Sequence, residues 1–139
     1  MNKTLAISVI VLACAIGTAH AQQCLHGANE TPEQAARRTD AVNAARTINN
    51  IQANQKTGSY FRHEDLVTAP WAVQMRQSTS EFAKRISLLP GTDILPGWTL
   101  MLDVGFNSYW FMIKDKTDPC GFAYVSNQTG LIFHAEPIR

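Results

Sequence analysis

The stretch Trp98-Thr99-Leu100-Met101-Leu102-Asp103-Val104-Gly105-Phe106 decides the fold class. Its large apolar side chains fall on every second residue, with Thr99, Met101, Asp103 and Gly105 between them. Successive side chains of a strand point to opposite faces, so this period predicts a strand with one buried face. Gly105 to Ser108 reads as a tight turn. Tyr109 to Lys114 then runs apolar and aromatic on both faces, the pattern of a central strand. Asp115 to Pro119 is a loop with Cys120 at its exit. Gly121–Ser126 and Leu131–Ala135 form a hairpin around Asn127-Gln128-Thr129-Gly130. The last 42 residues therefore predict an antiparallel meander of about four strands. Paired in register, Met101, Trp110, Met112, Val125 and Ile132 would share one face. The expectation is that Tyr60–Leu95 folds over that face and buries it. Left open, it would be a methionine-rich contact surface carrying a tryptophan.

Upstream, Thr31-Pro32-Glu33-Gln34 is a helix start: Thr31 can cap, Pro32 suits the first helical position, and Gln34 completes a capping box. Good helix formers continue to about Lys56, and Gly58 offers a stop. Ala41, Ala44, Ala45, Ile48 and Ile51 lie on one stripe. Arg37, Asp40, Asn43, Thr47, Asn50 and Asn54 lie on the other side. The fold class is thus α+β, one long N-terminal helix packed on the meander. The alanine stripe allows close approach to the sheet. Between these parts, Pro70-Trp71 can open a short helix. Ser78-Thr79-Ser80-Glu81 reads as a second capping box, for a helix through about Leu88 that ends at Pro90-Gly91. Leu95-Pro96-Gly97 is a turn.

The chain opens with Asn2-Lys3, an apolar run from Leu5 to Cys14, and Ala19-His20-Ala21, a small-x-small cleavage site. Residues 1–21 therefore read as a cleaved export signal, too short for a lasting membrane anchor, and residues 22–139 as one domain. The expected location is periplasmic or secreted. Without Lys3 the twelve basic residues become eleven, matching the eleven acidic ones. A neutral chain gives no reason to expect nucleic acid or anionic lipid as a partner. Cys14 leaves with the leader, and Cys24 and Cys120 remain as an even pair in an oxidising compartment, the expectation being a disulfide staple.

Ala41-Val42-Asn43-Ala44-Ala45-Arg46-Thr47-Ile48-Asn49 is similar to a stretch of the helix of type IV pilins and pseudopilins. Gly58-Ser59-Tyr60-Phe61 is similar to their helix exit, and Gly121-Phe122 with Ser126–Ile132 to their C-terminal strands. The order of elements also resembles that family. The resemblance implies a pilin-like globular domain with a structural or binding role beside pilus or secretion machinery. Where pilins keep an apolar half-helix, this chain carries an ordinary leader and then polar residues from Gln22 to Glu30.

Chemistry-bearing clusters are few. His63-Glu64-Asp65 and His134-Ala135-Glu136 are the candidates for a small secreted hydrolase or a metal-dependent enzyme. A zinc site would need His63 or Asp103 to converge on His134. Cys24-Leu25-His26 pairs a thiol with a base, but a disulfide would remove the nucleophile. No nucleophile elbow, zincin motif or phosphate loop is present. The leading expectation is accordingly a non-catalytic exported protein with no cofactor, no metal and no catalytic residue. It would contact a protein partner through Trp110, Met112, Trp71 and His134. A secreted inhibitor is the other alternative.

Overall fold

The computed structural model describes residues 23–55 and 58–137. The leader and the expected helix end at Lys56 lie outside the described residues. Helix α1 spans Pro32–Ala53. Its start follows the sequence: the Thr31 side chain accepts from the Gln34 backbone at 3.3 Å, and Gln34 Oε1 accepts from the Thr31 backbone at 2.7 Å. Its end comes sooner than expected. Asn54 closes the helix, its backbone N–H and its Nδ2 both donating to the Asn50 carbonyl, at 3.1 and 2.8 Å. A short amide side chain that bonds the backbone locally competes with helix continuation.

Four strands follow: β1 (Trp98–Val104), β2 (Tyr109–Asp115), β3 (Ala123–Asn127) and β4 (Ile132–Ala135). They form one antiparallel sheet in the order β1-β2-β3-β4. The fold is α+β. The turn entering β1 needs Gly97, which sits at φ +82°. A Cβ there would come within 2.9 Å of the Arg37 guanidinium and 3.2 Å of Thr117 Cγ2.

The register assigns each strand residue to a face. Tyr109, Phe111 and Ile113 of β2 turn towards α1 and are buried, with Tyr124 and Ser126 beside them on β3. Trp98, Leu100, Leu102 and Val104 of β1 join the same core, alternating as the sequence predicted. From α1 come Ala41, Ala44, Ala45, Ile48 and Ile51, all 0–1% exposed. Thr47, placed on the wet side by sequence, is also buried.

Polar pins fix the helix to its neighbours. Asn49 Oδ1 accepts from the Tyr109 hydroxyl at 2.9 Å, and Asn49 Nδ2 donates to Ser126 Oγ and to the Gly130 carbonyl, both at 3.0 Å. Ser126 Oγ donates onward to the Leu131 carbonyl at 2.7 Å. Gln52, fully buried, holds the Phe61 N–H and C=O with its own amide, both at 2.8 Å. Burying such groups is tolerable because each finds a partner.

Residues 60–95 contain a 3-10 turn (His63–Thr68), α2 (Pro70–Arg76) and α3 (Glu81–Arg85). Ser80, not Ser78, caps α3 by accepting from the Ala83 N–H at 3.1 Å. The helix stops where Ile86 turns extended, short of the expected Leu88. Leu66, Ala69, Ala72, Leu88, Ile94 and Leu95 bury into the same cluster as the α1 stripe. This segment therefore sits on the helix side of the sheet, contrary to the expectation that it would fold over the far face. Among the described residues no helix is long and apolar enough to cross a membrane.

Candidate functional site

With the segment 60–95 on the α1 side, the far face of the sheet leaves Met101, Trp110 and Phe133 exposed, with Met112 and Val125 half-buried and Ala123 buried. Met101 pairs with Met112, Met112 with Val125, and Val125 with Phe133, a row crossing all four strands. Met101 and Phe133 are 53% and 55% exposed. The next row holds Asp103, Trp110 and Asn127. Trp110 is 42% exposed, and its indole N–H donates to Asp103 Oδ2 at 3.2 Å. The opposite flank carries Thr99, Lys114, Ala123 and Ala135, with Lys114 exposed. Phe106 and Leu131, on the two turns at the Trp110 end, are also exposed. Scattered apolar residues on a surface mean little; here Met101, Trp110 and Phe133 are exposed together on one face.

The expected membership of this face is corrected at one residue. Ile132 pairs with Ser126 and turns towards the core, so Phe133 takes the place expected of Ile132. A one-residue change of register moves a side chain to the other face.

The four residues expected to make contact do not converge. Trp110 and Met112 share the open face. His134 pairs with Tyr124 and so projects on the helix side, at the exposed margin of β4, its ring stacked 6.3 Å from Phe122. Trp71 lies half-buried on α2, lining a cleft of about 410 Å³ with Gln74, Met75 and Phe82.

The acid–base candidates also separate. His63, Glu64 and Arg62 line a polar cleft of about 340 Å³ with Asp103, beside the β1 edge. His63 has its pKa lowered by partial burial, against the opposing pull of Glu64. His134 lies on β4, the opposite edge strand, so the imagined union of His63 or Asp103 with His134 does not form.

Glu136 instead belongs to a corner that sequence reading missed. Cys24 and Cys120 are joined by a disulfide across a separation of 96 residues. Beside it, His26 Nδ1 meets Asp118 Oδ2 at 2.5 Å, and His26 Nε2 meets Glu136 Oε1 at 3.0 Å. Asp118 also accepts from the Cys120 and Leu25 N–H groups at 2.7 and 3.2 Å. The imidazole packs on Phe122 at 4.6 Å. Arg38 lies over the same ring at 5.8 Å and grips Glu30 with two bonds of 2.5 and 2.6 Å. Atoms of Cys24, His26 and Asp118 lie within 4.8 Å of one another, a spacing that could hold a metal ion. The disulfide takes the thiolate out of that set, leaving an imidazole and a carboxylate. The corner acts as a buckle, fastening residues 24–30 to the β2–β3 loop and the chain beyond β4. Once Cys24 and Cys120 are paired, their neighbours two residues away, His26 and Asp118, become adjacent; that was the available signal.

The chain matches no protein-family model, no curated protein and no solved structure.

Proposed function

We propose that this chain is an exported, non-catalytic binding or structural protein with a pilin-like globular domain, linked to pilus or secretion machinery. Its working surface in this reading is the uncovered face of the sheet. The observation that carries the reading is the row Met101, Met112, Val125 and Phe133, exposed at Met101 and Phe133 and half-buried at Met112 and Val125, with exposed Trp110 beside it. Methionine adapts to the shape of what it meets, and tryptophan supplies large contact area, so the pair suits a protein partner. The helix-then-meander order, the pilin-like stretches of α1 and the buckled disulfide support the domain assignment. The leader-like residues 1–21 and the disulfide support a compartment where thiols oxidise.

The test is site-specific photo-crosslinking in the producing cell. A photoreactive phenylalanine at position 112 should give discrete crosslinked species, and the same group at position 74 on the helix side should give none. Equal crosslinking from both positions, or none from 112, would refute the assigned surface. Crosslinked partners unrelated to pili or secretion would refute the proposed linkage.

A further inference from the structure

We propose that the open sheet face is a self-complementary surface, and that the partner seated on it is a second copy of this chain. This rests on the reading of that face as a protein-contact surface. The argument comes from how charge is laid out on it. Among the described strand residues of the face, Asp103 is the acid and Lys114 the base; Arg62, His63 and Glu64 border Asp103 at the β1 edge. Asp103 lies at the end near the turns, bonded to the Trp110 indole, and Lys114 lies at the other end, with the apolar row Met101–Met112–Val125–Phe133 between them.

A two-fold axis running along that central row stacks two such sheets back to back and reverses the strand direction of one copy. Each Lys114 then comes over the Trp110 and Asp103 end of its partner. The ammonium meets an indole ring and a carboxylate already held together, while the methionine rows meet each other. Packed sheets lie about 10 Å apart, a distance that facing methionine and phenylalanine side chains fill. A partner of one sign would meet a repulsive charge at one end of this face. A second copy meets an opposite charge at both ends.

The small size of the face argues against a permanent dimer. Four strands about 4.8 Å apart and five residues of about 3.4 Å rise give a flat footprint of roughly 300 Å² per copy, somewhat more once side-chain relief is included. The two copies together bury less than the roughly 1,200 Å² of a standard stable interface, so the dimer is a weak, reversible one. Its dissociation constant belongs in the range of tens to hundreds of micromolar, on the order of that of transient complexes.

Sedimentation equilibrium of the purified chain, from about 10 µM to about 1 mM, reads this directly. The expected result is a weight-average mass rising from one copy towards two. Met112→Lys and Asp103→Lys should each weaken the association at least about tenfold, as should Lys114→Asp. An equimolar mixture of the Asp103→Lys and Lys114→Asp proteins should regain association to within about threefold of the parent, because each mismatch in one copy meets its complement in the other. Far-UV circular dichroism confirms that each exposed-site variant is folded. A chain that stays one copy in mass at 1 mM overturns the proposal, as does an association indifferent to Met112→Lys or a mixture that fails to recover. Photo-crosslinking at position 112 to a different protein, with no self-association, would overturn the second copy as occupant while leaving the face itself as a contact surface.

Discussion

Removing the disulfide by the double substitution Cys24→Ala and Cys120→Ala should be the most costly change available outside the core. The bridge closes a loop of 96 residues. In the chain-entropy model, a loop of that length restricts the unfolded chain by about 16 cal/mol/K, or about 4.7 kcal/mol at 25 °C. For a domain of this size that corresponds to a fall in melting temperature of about 15–20 °C, near 4 °C per kcal/mol. The ion pairs at the buckle do not substitute for the bridge, because they break on unfolding and leave the unfolded chain unrestricted. The assay is a urea melt of parent and variant, followed by circular dichroism and tryptophan fluorescence. The midpoint should drop, and the slope should rise slightly as the unlinked chain expands more fully. Adding a reductant to the parent should reproduce the variant. A loss under about 1 kcal/mol, with an unchanged native spectrum, would refute the reasoning that loop closure by this bridge sets stability.

Two further outcomes follow from buried polar groups. Burial pushes the Tyr109 phenol up to about 12, with a smaller contribution from Tyr60. The unfolded chain then loses that proton first as pH rises, so the stability from burying the neutral phenol is intact below pH 10 and is lost as pH climbs from 10 towards 12. Tyr109→Phe should flatten that alkaline loss while costing about 1 kcal/mol at neutral pH, through the bond to Asn49; an equally steep alkaline slope in the variant counts against it. Gln52→Leu leaves the Phe61 N–H and C=O without their partner, and should cost about 2 kcal/mol or more in a urea melt. No measurable loss would mean that water replaces the Gln52 amide there.

The legible parts of the fold were those with local, periodic signals. Thr31 and Gln34 mark the start of α1 because the capping box is written within four residues. The alternation from Trp98 onward gives β1 for the same reason, and the turns at Gly105 and Asn127 separate the strands. The end of α1 was less legible, since it depends on Asn54 competing for the Asn50 carbonyl. Residues 60–95 carry short helices with little periodicity, so the side of the sheet they cover is set by burial in one cluster with the α1 stripe rather than by any local pattern. Ile132 and Phe133 differ only by register, and two adjacent large apolar residues at a strand start give no means of choosing between faces. Of the site, Trp110 and Met112 were readable as a shared face. The His26 corner was not, because Asp118 and Glu136 lie about a hundred residues away in the chain and meet His26 only once the meander has formed.

Everything proposed about function depends on one face of the sheet standing bare, and hydroxyl-radical footprinting of dilute protein tests this most directly. At about 5 µM, where the weak dimer is dissociated, Met101, Trp110 and Phe133 should label heavily, while Trp98 and Phe111 on the opposite face stay protected. Met101 and Trp110 protected to the same degree as Trp98 would contradict the account, by placing another part of the chain over the face.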